Sequence, residues 1–282
     1  MFSKLLAFAL AVSSVAAEAV PGYSGYNVVW QENFNGAAGS LVNEGNWNII
    51  ERSGNANNEW ESYTRSNQNH QLSGGSTLQI VPQINNGAWT SARLESKYVF
   101  TPADGRRTII EAKIRFGSNA ASNKQGIWPA FWLLGDSIRL GTPWPQCGEV
   151  DILETVNGQL TGYGTVHCDV APGGICNEYN GIGGTTAMPD NSWHTWRIVT
   201  DRTPSNWVDE SITWYRDGAQ FMQVTGGRIN NVNVWNSLAT TAQYIILNVA
   251  VGGDFPGAPN ANTLGSWGSE MEVAYVGHYQ ST

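Results

Sequence analysis

Along most of the chain, apolar and polar residues alternate with a period of two rather than 3.6. The stretch RRTIIEAKIRF (106–116) sets Ile110, Ala112, Ile114 and Phe116 on one side and Glu111, Lys113 and Arg115 on the other, the signature of a half-buried strand. SITWYRDGAQFMQV (211–224) reads as two such runs around Asp217-Gly218, a dipeptide that supplies the positive φ values of a tight hairpin. STLQIVPQ, SARLESKYVF, SWHTWRIVT, QYIILNVAV and SEMEVAYVGHY read as further strands, separated by clusters of Gly, Asn, Pro and Ser. No convincing amphipathic helix interrupts them. Many short antiparallel strands over this length predict an all-β fold, a sandwich of two antiparallel sheets in jelly-roll form.

One strand breaks the alternation. GEVDILETVNG (148–158) places Glu149, Asp151 and Glu154 among strand-forming Val150, Ile152, Leu153 and Val156. On a regular strand Glu149 and Asp151 share a face with Leu153, and Glu154 points the other way. A β-bulge at Ile152–Leu153 returns Glu154 to the face of the other two acids, and bulges are frequent beside active sites. Glu149 and Glu154 would then stand about four strand steps, roughly 13 Å, apart at Cα. Side chains leaning toward each other close that gap to the ~5–5.5 Å between carboxyl groups that retaining glycosidases use. Charges this close cannot all ionise freely, so one carboxyl stays protonated near neutral pH, as a general acid must. A calcium site is the poorer reading, because a strand flanked by Val and Ile supplies few further oxygen ligands.

The ends bound the location. MFSKLLAFALAVSSVAAEA (1–19) has a basic start at Lys4, an apolar run from Leu5 to Val12 and small residues before a cut after Ala17 or Ala19, which predicts a secretory signal peptide. No later apolar run reaches the roughly 18 residues of a membrane span, and the C-terminal YVGHYQST is polar. A secreted protein is expected, with one domain over 20–282.

Charge is sparse and acidic, −8 from Lys+Arg 15 and Asp+Glu 23. Nucleic-acid binding needs clustered Lys and Arg, and none occur. Thirteen Trp, ten Tyr and 32 Gly suggest a neutral ligand held by aromatic faces and short polar groups, although Trp also fills cores. Of Cys147, Cys168 and Cys176, the last two bracket the loop DVAPGGI and are the preferred disulfide pair, which leaves Cys147 a buried free thiol. Their spacing matches no zinc pattern, and Cys147 has no basic neighbour to activate it. There is no Asn-x-Ser/Thr sequon.

GEVDILE resembles the E-x-D-x-x-E catalytic strand of glycoside hydrolase family 16. NNEWESYT, SARLESK, GIWPAFWLLG, WPQCGEVDILETVNG, GTVHC, WHTW and YIILNVAVGGDFPG are similar to the family's blocks in their usual order. The last strand departs from the pattern, with Ala274 and Gly277-His278 where members often carry an acidic residue and a basic run. The resemblance implies a concanavalin-like β-jelly roll with a substrate groove across its concave sheet. It implies Glu149 as nucleophile, Glu154 as acid/base, Asp151 as the residue tuning them, and no cofactor or metal. The extra residue between Asp151 and Glu154 is similar to the laminarinase branch, so a retaining endo-hydrolase of β-1,3- or mixed β-1,3/1,4-glucan is expected. A transglycosylase or a non-catalytic glucan-binding lectin are the alternatives, with monomer the default state. The resemblance further implies Trp128, Trp132 and Trp144 as sugar-stacking groups. Arg93 and Asn58 would bond sugar hydroxyls, with a salt bridge the alternative for Arg93. His167 lies near the cleavage point or is a satisfied core histidine, and His194 is structural.

Overall fold

The computed structural model describes residues 19–282 apart from residue 55, so the signal-peptide reading lies, but for residue 19, outside the described residues. Two large antiparallel sheets face each other. One runs, neighbour to neighbour, through Ala219–Thr225, Ser211–Arg216, His194–Asp201, Arg107–Phe116, Met271–Ser281, Leu78–Ile80 and His70–Leu72, with Tyr26–Glu32 also paired to Met271–Ser281. The other runs Ile182–Ala187, Thr161–His167, Glu149–Glu154, Ile127–Gly135, Gln243–Val251, Arg93–Phe100 and Trp47–Ile49. The predicted hairpin forms, its strands flanking the turn at Asp217-Gly218.

Alternation decides which side chains fill the space between the sheets. Ile110, Ala112 and Ile114 from one sheet meet Phe131, Leu133, Val150, Leu247 and Val249 from the other in a single buried cluster. Trp47, Trp196, Trp214 and Trp235 are fully buried, so part of the aromatic richness is core. Two glycines of Thr161–His167 make room for these indoles. A Cβ at Gly162 would lie 2.3 Å from Trp196, and one at Gly164 2.6 Å from Trp214.

Several details depart from the alternation reading. Glu111, expected on the solvated face, is completely buried. Its carboxylate accepts hydrogen bonds from Tyr23 and Tyr275 hydroxyls at 2.9 and 2.8 Å and from Arg197 Nε at 2.6 Å. STLQIVPQ contributes only Leu78–Ile80 to the large sheet. Pro82, which has no N–H to donate, marks where the chain leaves for a small third sheet of Ser62–Tyr63, Ala88–Ser91 and Gln83–Asn85.

The expectation of no helix is corrected. Val232–Ala239 is an α-helix, preceded by the short turn Gly226–Ile229. The Asn231 side chain caps it by accepting from the backbone N–H of Asn233 and Val234, and Trp235, Leu238 and Ala239 bury its inner face. Valines at 232 and 234 disguise it as strand. The cap and the i, i+3, i+4 burial reveal it.

Candidate active site

The bulge is present and sits where the acid spacing requires it. Seen from Ile127–Gly135, Trp132 pairs with Asp151 and Phe131 with Leu153, so Ile152 is the extra residue. Seen from Thr161–His167, Asp151 pairs with Thr165 and Glu154 with Tyr163, the same three-against-two step. Val150, Ile152 and Leu153 all enter the core, while Glu149, Asp151 and Glu154 share the opposite face. The facing sheet pins the distorted backbone, because Trp214 Nε1 donates to the Asp151 carbonyl at 2.7 Å.

Each acid has a distinct environment. Glu149 Oε2 accepts from the Trp144 indole N–H at 3.2 Å, and Glu154 Oε1 accepts from Trp128 Nε1 at 2.8 Å. Asp151 is 4 % exposed and its Oδ2 is a buried acceptor without a hydrogen-bond donor. Burial raises the affinity of all three for protons. Glu149 is raised by burial but opposed by the nearby His167 and Arg93 cations. Asp151 is raised well above its ordinary value by burial and by the charges of Glu149 and Glu154. Glu154 is pushed up to about 7 by burial and, less, by Glu149, against the Trp128 N–H and His167.

His167 lies opposite Glu149 on the next strand. Its Nε2 stands 3.5 Å from Asp151 Oδ2 and 3.9 Å from Glu149 Oε1. Its Nδ1 bonds Glu178 Oε2 at 2.7 Å. Burial alone would keep the ring neutral. The Glu178 bond and the charges of Glu149, Asp151 and Glu178 outweigh that and raise its pKa to about 10. Glu149, Asp151 and His167 bring one ligand atom each within 4.8 Å of one another; with the ring protonated, His167 acts there as a countercharge and not as a ligand.

Aromatic side chains extend the row on both sides. Phe255 contacts Trp128 and Tyr163 edge-on, at 5.5 and 5.2 Å between ring centroids. Exposed Tyr179 stacks on Trp144 at 6.0 Å. Trp132 Nε1 donates to Asn248 Oδ1 at 2.7 Å, and the Arg93 guanidinium lies 4.7 Å over the Trp132 ring. Arg93 is also paired with Glu95 at 2.8 Å, so the salt-bridge reading holds at a position beside the row. Asn58 is exposed and its Nδ2 donates to Asp254 at 2.9 Å. His194 lies on the other sheet, bonded to Asp217 at 2.7 Å, as a structural group.

Cys168 and Cys176 form the disulfide and Cys147 is a buried free thiol, its pKa pushed up to about 12 by burial and by Glu149. Sequence reading missed Glu178, Tyr63 and Asn248. The Asn248 amide donates to the Tyr63 hydroxyl at 3.1 Å, which donates to Glu59 at 3.4 Å. Only tertiary contact joins these residues. An acid two positions after Cys176 was the one available hint of Glu178.

Comparison with known proteins agrees with this geometry. Residues 52–227 match the family described as XgeA-like, catalytic GH16 domain. A glucan endo-1,3-beta-glucosidase A1 from Niallia circulans is 29% identical over 95% of this chain, which spans 40% of that relative. A beta-glucanase from Rhodothermus marinus is 27% identical, over 90% of this chain and 85% of its own length. The crystal structure of an endo-1,3-beta-glucanase from Streptomyces sioyaensis superposes with a TM-score of 0.88 at 34% identity, covering 94% of this chain and 100% of that one. A jelly roll with this acidic strand and this family match over more than half its length, the chain belongs to glycoside hydrolase family 16.

Proposed function

We propose that the protein is a retaining endo-hydrolase of β-1,3-linked glucan, including mixed β-1,3/1,4 chains. The observation that carries the reading is the Ile152 bulge, which sets two glutamates of different proton affinity on one face. Glu149, beside the His167 cation and the Trp144 N–H, is the better carboxylate. Glu154 holds its proton to about 7 and is the better acid. In the first step a Glu149 oxygen attacks the anomeric carbon, the glycosidic C–O bond breaks, and the Glu154 proton goes to the departing oxygen. In the second, Glu154 takes a proton from water, whose oxygen displaces Glu149 and frees the sugar. Asp151 sits between the two and tunes both charges.

The neutral substrate follows from the row of indole and phenol faces at Trp128, Trp132, Trp144 and Tyr179, which suit the apolar faces of pyranose rings. The β-1,3 preference rests on the extra residue in the acidic strand and on the similarity to endo-1,3-β-glucanases. The buried disulfide supports an exported enzyme, read as a single domain over 20–282 with monomer the default state.

Product analysis on laminarin, mixed-linkage glucan and linear β-1,4-glucan tests the reading, with oligosaccharides expected from the first two. Glu149→Gln and Glu154→Gln are each expected to lower kcat on laminarin by about 10²–10⁴-fold or more with the fold intact. Proton NMR early in hydrolysis should show β-anomeric product first. Wild-type turnover by either variant, or α-product first, would overturn it.

A further inference from the structure

Glu178 is a buried acid outside the acidic row. Its side chain is fully buried, with one oxygen 2.7 Å from His167 Nδ1 and the other accepting from the Cys168 backbone N–H at 2.8 Å. Cys168 is the residue next to His167 and is itself fixed by the disulfide to Cys176, two positions before Glu178. Main-chain bonds between Gly173 and Glu178 in both directions close the same loop. The chain has therefore built a stiff loop whose buried carboxylate meets one nitrogen of one imidazole.

We propose that Glu178 is a positioning residue for the hydrolysis. It fixes the His167 ring, keeps a proton on Nδ1, and so aims the Nε2 N–H between Asp151 and Glu149. This rests on the catalytic reading of the three acids above. Without Glu178, His167 would be free to turn its ring or lose its charge. Asp151, whose Oδ2 has no hydrogen-bond donor, would then stand unopposed between two other acids. The ionisable groups facing His167 are Glu149 and Asp151 on the neighbouring strand and Glu178 on the loop, with Glu154 further along that strand. All are acids, and the ring is the cation facing them directly, with Arg93 acting on Glu149 as a second, lesser cation. An outer carboxylate that orients a functional histidine is a recurrent arrangement.

The test uses the full secreted protein with laminarin as substrate. Glu178→Gln keeps an acceptor but removes the charge. It is expected to lower kcat by about tenfold or more, the scale on which outer partners of a histidine act, with KM within about twofold and Tm little changed. Glu178→Asp should recover part of the lost kcat. Nitrogen-15 NMR at about pH 8, above the ordinary histidine range, should show His167 as an imidazolium in the wild type and as a neutral ring in Glu178→Gln. Wild-type kcat in folded Glu178→Gln would overturn the inference. So would a neutral His167 at that pH in the wild-type protein, a measurement that decides even if the variant fails to fold. Glu149→Gln and Glu154→Gln, run in parallel, separate the cases. If they are inactive while Glu178→Gln is fully active, only this inference fails. If they stay active, the catalytic reading fails with it.

Discussion

At the scale of single residues, Glu149 and Glu154 are the same amino acid five positions apart, and neighbours alone give them different tasks. A general acid works only while protonated, so activity should fall as pH rises through about 7, where burial and Glu149 place Glu154. Glu149 must be ionised, and its pKa is raised by burial, so the acid limb should lie above the ordinary glutamate range. The profile is therefore a bell on the acid side of neutrality, checked by kcat/KM against pH. Trp128→Phe removes the N–H that favours the Glu154 carboxylate. Its alkaline limb should move to higher pH, and a limb that stays put or moves down would contradict the role given to that bond. The acids, Trp128 and Trp132 were legible because period two assigns each to a face once one extra residue is allowed, whereas Trp144, in the turn before the acidic strand, came from the family resemblance alone. Glu178, Tyr63 and Asn248 were not: Glu178 meets His167 through a loop whose path the pattern does not show, and Tyr63 and Asn248 meet only across the fold.

At the scale of elements, the acidic strand is distorted and something must hold the distortion. Core burial of Ile152 and Leu153 supplies part of the restraint, and the Trp214 bond to the Asp151 carbonyl supplies the rest. Gly164 exists to admit that indole, with a Cβ there 2.6 Å from its Cδ1. Gly164→Ala should thus destabilise by about 1–3 kcal/mol, the usual cost of overpacking. It should also lower kcat through the shifted strand, as measured by denaturant unfolding beside a laminarin assay. A destabilised variant with unchanged kcat would mean that Trp214 supports the core and not the site. The Cys168–Cys176 link spans a separation of 8. On the chain-entropy account, replacing both cysteines by Ala costs about 2.5 kcal/mol. The strands were readable because alternation and turn residues agree. The helix Val232–Ala239 was hidden because its valines favour strand and only Asn231 marks its start. The third sheet escaped because two- to four-residue strands carry too few positions to show a period.

At the scale of the whole molecule, the sandwich buries more acids than a solvated fold would, and their signs agree. Glu154 and Glu270 are held up to about 7 and Glu61 to about 8, each chiefly by burial, and Asp151 and Glu149 are raised as well. A carboxylate raised on folding contributes stability that is complete below its unfolded pKa and is lost as pH climbs through its folded value. His167, raised to about 10, acts in the same direction. His70 and His278 are lowered to about 4 by burial and oppose this, because their contribution is lost as pH falls below the ordinary histidine value. As pH climbs past about 6.5 those two become neutral in both states, and the raised acids with His167 are opposed over that interval chiefly by Lys124, which burial lowers to about 8. The folded protein then binds more protons than the unfolded one, and stability must fall from about pH 6.5 to about pH 8. Net charge of −8 and a pI near 5.0 push the same way through self-repulsion. Thermal unfolding at a series of pH values should show Tm declining over that interval. Glu270→Gln should flatten the decline without moving the alkaline limb of activity, because the charges that act on Glu270 are Glu272 and Arg115, while Glu154 feels Glu149 and His167. A Tm that rises from pH 6.5 to 8 in the wild-type protein would show that the buried acids are ionised in the folded state, and the proton on Glu154 that the mechanism spends would not be there.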